Sequence, residues 1–159
     1  MGLSSFLTFE TRNPLVREIE GDRRICYWLQ EPICWVGMDS VRRFVPSLIV
    51  SDGYSIPSAL MGLIRGLSSR LPSYLHDYQF WSGECSLWTA NNNIRKAVID
   101  TGGGRYTATK VWVGLYFGGW IAWNRYKRLR VENGQNYLID LHTAKTLEEA
   151  EKIAMLGDV

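Results

Sequence analysis

Ser51-Asp52-Gly53-Tyr54-Ser55-Ile56-Pro57 is the stretch where the hydrophobic period of this chain changes. Upstream of it, short apolar runs are separated by turn residues. Downstream, apolar residues recur at helical spacing. Pro57 suits a first helical turn, because its missing N–H would have no partner there. Ser55 is placed to cap that helix. A chain extended before this stretch and helical after it belongs to the α+β class, with N-terminal antiparallel hairpins or a meander packed on a helical half.

Upstream, residues 3–37 read as strands. Phe6, Thr8 and Phe9 lie in a β-prone run that stops at Asn13-Pro14. Leu15 to Ile19 alternates apolar and polar, Glu20-Gly21-Asp22 forms a turn, and two further runs on either side of Pro32 complete the pattern. Residues 45–50 are a last extended piece. Downstream, the spacing predicts helices over 57–65, from Pro72 to Trp81 with Ser82-Gly83 as the stop, and over 86–100. Gly102-Gly103-Gly104 then breaks the chain.

Residues 105–130 read as one long aromatic helix. Trp112, Tyr116, Trp120 and Trp123 form a bulky stripe, and Gly114, Gly118 and Ala122 a small-residue stripe on another side. Glycines inside a helix weaken it, so a neighbouring element is expected to approach closely there. Val111 to Trp123 is apolar for 13 residues, whereas a membrane span needs roughly 20. No transmembrane span is expected, although contact with a membrane surface through the aromatic stripe and the basic end stays open. In the tail, Tyr137 to Leu141 reads as a strand, and Thr146-Leu147-Glu148-Glu149 is a capping box before a short helix. The expected division is one α+β domain over 1–130 and a strand-helix appendage over 131–159.

The 159 residues are 46% hydrophobic and 21% charged, enough for a sizeable core. Seven Trp and eight Tyr point to a core or interface of large flat rings. A net charge of +2 gives no specific nucleic-acid signal, with Arg125, Lys127, Arg128 and Arg130 as one local basic patch. Cys26, Cys34 and Cys85 form no CxxC pair and read as reduced thiols. With no secretion signal in view, the expected location is a reducing compartment.

The stretch Val45-Pro46, Ser51-Asp52-Gly-Tyr-Ser55-Ile-Pro57, Leu75-His76-Asp77-Tyr-Gln-Phe80, Ala90-Asn91 and Gly119 to Trp123 resembles a family of uncharacterised bacteriophage and prophage proteins, a domain of unknown function. Members carry Phe-x-Thr-Asp-x-x-Ser-Ile-Pro, then His-Asp-x-Leu-Tyr, an Ala-Asp helix and a long aromatic helix. The likeness covers roughly residues 40–126. Here Ser51 stands for the family's Thr, Ser58 for its Arg, Gln79-Phe80 for Leu-Tyr and Asn91 for its Asp. The resemblance implies a phage or prophage origin, with the reducing host cytoplasm or a virion as the expected location, and no particular activity.

The residues themselves leave two functions open. His76 with Asp52 and Asp77 has the composition of a water-activating centre, since imidazole titrates near neutrality and a carboxylate fixes its tautomer. Asp52, His76 and Asn91 are also candidate ligands for a divalent metal, and Ser55 is a candidate nucleophile without a G-x-S-x-G elbow. His76 and Asp77 are adjacent on a helix and point about 100° apart. One is expected to face a cleft while the other ties the helix to the 51–57 loop. Equally, these groups can be a satisfied polar network, with Asp52 bonded within its own turn and Ser55 a plain cap. The first function is therefore an accessory protein that binds a phage or host protein, as a virion assembly component or an inhibitor of a host factor, with homo-oligomerisation open. The alternative is a His/Asp-dependent hydrolase, metal-assisted or not, acting on lipid, peptidoglycan or nucleotide.

Overall fold

The computed structural model describes residues 8–9, 14–21, 25–37, 40–52 and 70–156. The helix expected over 57–65 and its cap Ser55 lie outside the described residues. The fold is α+β, as the change of period indicates. Among the described residues six short strands come first: β1 (Thr8–Phe9), β2 (Val16–Glu20), β3 (Ile25–Leu29), β4 (Ile33–Val36), β5 (Arg42–Val45) and β6 (Val50–Ser51). They pair antiparallel in two three-stranded sheets, ordered β1-β4-β5 and β2-β3-β6. Among the described residues five helices follow: α1 (Leu71–Ser82), α2 (Leu87–Asp100), α3 (Gly104–Asn133), α4 (Tyr137–Leu141) and α5 (Leu147–Leu156).

Strand β3 lies in the middle of its sheet, and both of its faces are covered. Tyr27 and Leu29 pack in one cluster with Leu71, Tyr74, Leu75 and Trp81 of α1. Cys26 and Trp28, on the other face, join Ile19, Val50 and the α5 residues Ala150 and Ala154. Alternation along a strand separates the two sets. The indole N–H of Trp28 donates to the Ala144 carbonyl at 3.1 Å, so the C-terminal region is tied to the sheet by a buried bond as well as by packing.

Helix boundaries follow local chemistry. Pro72 stands in the first turn of α1, and Gly83, at φ +61°, ends it in the left-handed conformation. Ser86 caps α2 by accepting the Thr89 backbone N–H at 3.1 Å. The capping box before α5 is formed: Glu149 N–H donates to Thr146 Oγ1 at 3.2 Å, and Glu149 Oε2 accepts from the backbone of Thr146 and Lys145. Residues 137–141, expected as a strand, are the helix α4. A five-residue run carries too little periodicity to separate the two states. Here the turn bonds Tyr137 N–H to Gly134 O and Asp140 N–H to Asn136 O start a helix that buries Leu138.

The long helix departs from expectation in its packing. Gly118 has no neighbour within 4 Å of where a Cβ would stand. The close approach is at Gly119, whose Cβ position lies 3.4 Å from the Phe80 ring of α1. One side of α3 packs on α1 and α2, through Val111, Leu115 and Gly119, and the opposite side is open.

Candidate functional site

Helix α1 is surrounded. Ten of its twelve residues are buried, including Ser73, Asp77, Gln79 and Ser82. Polar groups in such a place need internal partners, because each lost bond to water must be replaced. The β3–β6 ladder sets Ser51 opposite Tyr27 and so turns its side chain toward α1. Ser51 Oγ donates to Asp77 Oδ2 at 2.5 Å. The other carboxylate oxygen, Asp77 Oδ1, lies 3.0 Å from His76 Nδ1. The two polar segments of the sequence therefore do meet, and Asp77 is the residue that joins them.

His76 leaves the junction on the side of α3. Its ring stacks on Phe80 with centroids 4.2 Å apart, and Phe80 meets the edge of Trp123 at 5.1 Å. Its Nε2 is buried without a hydrogen-bond partner. Tyr74, one turn before Asp77, is almost fully buried, and its hydroxyl likewise has no partner. Burial pushes the Tyr74 phenol well above its usual range, and the neighbouring Asp77 charge pushes it the same way.

The order of these contacts decides their chemistry. A serine nucleophile needs its hydroxyl on one imidazole nitrogen and a carboxylate on the other. Here the carboxylate stands between serine and histidine, and the Ser51 proton points at Asp77. Such a network fixes a strand to a helix. Asp52 follows Ser51 directly and is half-buried, and Asn91 is buried on α2 with its Oδ1 unpartnered. Among the described residues no group of three or more His, Cys, Asp or Glu side chains is arranged to hold a metal ion. Ser55 falls outside the described residues.

The far end of α1 is closed by side chains from the end of α3 and the turn after it. Arg130, expected in the basic patch, is turned inward and buried. Its Nη1 donates to the Phe80 carbonyl at 2.6 Å and to the Trp81 carbonyl at 3.2 Å. Gln135 Nε2 donates to the Ser82 carbonyl at 2.5 Å, and Gly83 N–H to the Gln79 carbonyl at 3.0 Å. All four terminal carbonyls of α1 are thus satisfied, and the guanidinium also sits at the negative end of the helix dipole. Burial lowers the Arg130 pKa. A Cβ on Gly83 would stand 2.5 Å from Arg130 Nη2, so this glycine admits the guanidinium as well as the left-handed turn. The signal for Arg130 was its spacing: it lies seven residues after Trp123, hence on the same inner face of α3. His142 stacks on Trp81 with centroids 4.0 Å apart.

The open side of α3 is the second candidate. Tyr106, Val113, Phe117, Trp120 and Ile121 are all exposed there, Phe117 at 71%. Beside them Trp88 of α2, Trp112 and Tyr116 form a ring cluster, braced by a 3.1 Å bond from Trp112 Nε1 to Asn92 Oδ1. A shallow groove of about 550 Å³ runs past Tyr106, Val113 and Phe117, with Gly114 and Gly118 along it. No family model, curated protein or solved structure matches this chain. Its function has to be read from these two places.

Proposed function

We infer that the chain is a phage-encoded accessory protein that acts by binding, in virion assembly or against a host factor, and that the open side of α3 is its contact surface. The observation that carries this reading is the exposure of Phe117, Trp120 and Ile121 in the middle of a long, well-supported helix. Large rings standing in water on a rigid element are the usual anchors of a binding surface. The Ser51–Asp77–His76 junction supports the same reading from the other side, since its bonds link elements of the fold and align no base on a nucleophile. The phage attribution rests on the sequence resemblance alone.

One observation favours the hydrolase alternative: His76 Nε2 has no partner, and a general base needs one free nitrogen. That atom is buried, which weighs against it.

Site-directed photocrosslinking tests the binding reading. A photoreactive phenylalanine analogue replaces Phe117 in one preparation and Glu148 of α5 in another, in cells producing the chain. Discrete adducts from position 117 and none from 148 are the expected result. Absence of adducts from 117, to protein or to lipid, would overturn the reading.

A further inference from the structure

We propose that the open side of α3 docks on an anionic lipid bilayer, lying in the headgroup region parallel to the membrane plane. This identifies the partner of the contact surface inferred above and rests on that reading. Helix α3 has 30 residues, about 45 Å of stiff rod. Tyr106, Lys110, Val113, Phe117, Trp120, Ile121 and Arg128 fall along one side of it, at spacings of three, four and seven. The centre of that side is apolar and aromatic. Both ends are basic, with Arg105 and Lys110 at one and Arg125, Lys127 and Arg128 at the other. Glu132, 3.9 Å from Arg128, is the sole acidic residue of α3, so four exposed cations and the half-buried Lys110 outnumber it.

That distribution selects among partners. Residues 111–124 carry no charged side chain, a gap of about 21 Å. A nucleic-acid strand would meet phosphates throughout such a gap and need cations among the rings. A second copy of α3 would bring the basic ends against each other in either orientation. An anionic bilayer accepts both features at once, taking rings and aliphatic side chains at the acyl boundary and cations among the headgroups. Trp and Tyr are the residues that prefer this depth. The helix lies on the surface and does not cross it: among the described residues no helix is long and apolar enough to span a membrane.

Vesicle flotation of the full chain decides the matter. The probes are neutral phosphatidylcholine vesicles and vesicles with about a third phosphatidylserine, at low and at high salt. Binding to the anionic vesicles at least about tenfold stronger than to the neutral ones, weakened by salt, is expected. Phe117→Glu with Trp120→Glu abolishes it, and Arg125→Ser with Lys127→Ser and Arg128→Ser weakens it, while circular dichroism shows both variants folded. No flotation, equal flotation with neutral lipid, or flotation that survives the Phe117/Trp120 variant overturns the proposal. So does a dimer in sedimentation that this variant makes monomeric. If vesicles fail but position 117 still crosslinks to protein, the lipid assignment falls and the contact surface stands.

Discussion

Asp77 in α1 is 6% exposed and Phe117 in α3 is 71% exposed. A carboxylate lies inside and a phenyl ring stands in water, in two helices of one small protein. Each inversion costs free energy unless something offsets it. For Asp77 the offset is visible, in bonds to Ser51 and His76. For Phe117 the described residues supply only an edge-on contact with the Tyr116 ring, and most of the side chain stays in water. The first inversion is complete within the molecule, and the second calls for a partner. Function is to be sought at the costly feature left unbalanced.

The contrast breaks most easily at Asp77. Replacing Asp77 with Ala removes the buried bonds to the Ser51 hydroxyl and to His76 Nδ1, and leaves a cavity beside Tyr74. A loss of about 3–5 kcal/mol is expected in chemical denaturation. Under the hydrolase alternative the more conservative Asp77→Asn would stay close to wild-type stability and lose turnover. Unfolding without separable activity supports an architectural role.

The next effect lies at Arg130. Arg130→Met keeps much of the packing volume and removes the bonds to the Phe80 and Trp81 carbonyls. About 2–4 kcal/mol should be lost, because those carbonyls remain buried. Were the variant as stable as wild type, the end of α1 would have to be solvated, and the contrast between a closed α1 and an open α3 would fail.

Much of this architecture was legible in the sequence, and the residues show why. The stop at Ser82-Gly83, the Ser86 start and the Thr146–Glu149 box are local rules, in which a side chain answers a backbone group a few residues away. The meeting of the two polar segments was legible because scarce polar residues in an apolar chain must find one another; that Ser51 would bond to Asp77 was not. Their order was not: adjacency in sequence suggested that His76 and Asp77 would diverge, whereas the imidazole turns back to Asp77 Oδ1. Arg130 was misread because charge was weighed before periodicity. Gly118 was misread because a small residue can mark close packing or mere exposure, and the sequence does not say which neighbour is present. Residues 137–141 were misread because one turn of chain has no period.

A smaller effect sharpens the description of the junction. Tyr74 carries a buried hydroxyl without a partner and Asp77 beside it. Tyr74→Phe should stabilise the protein by about 1 kcal/mol near neutral pH. The alkaline limb changes too. The phenol is held protonated in the fold beyond its usual value near 10. The unfolded chain then releases its proton first as pH rises, and the folded state binds more protons. Stability therefore falls above about pH 10, by up to about 1.4 kcal/mol per pH unit for each such phenol. Tyr78, raised by burial and then by Glu84, contributes in the same direction. Denaturation midpoints from pH 8 to 11 should fall less steeply for Tyr74→Phe than for wild type. Equal slopes would mean that the hydroxyl is solvated and the junction more open than its bonds imply.

The smallest expected effect on stability belongs to the surface with the largest expected effect on binding. Phe117→Glu with Trp120→Glu removes two rings that are mostly in water already, so folding should change by no more than about 0.5 kcal/mol. Helix propensity is slightly better served by Glu than by Phe or Trp, which offsets the edge-on packing of Phe117 against the Tyr116 ring. A melting temperature close to wild type, together with failure to bind through position 117, places the cost of these rings in recognition. A marked fall in melting temperature would instead show that the rings support the fold. The inversion in α3 would then be as internal as the one in α1, and the surface would need no partner to explain it.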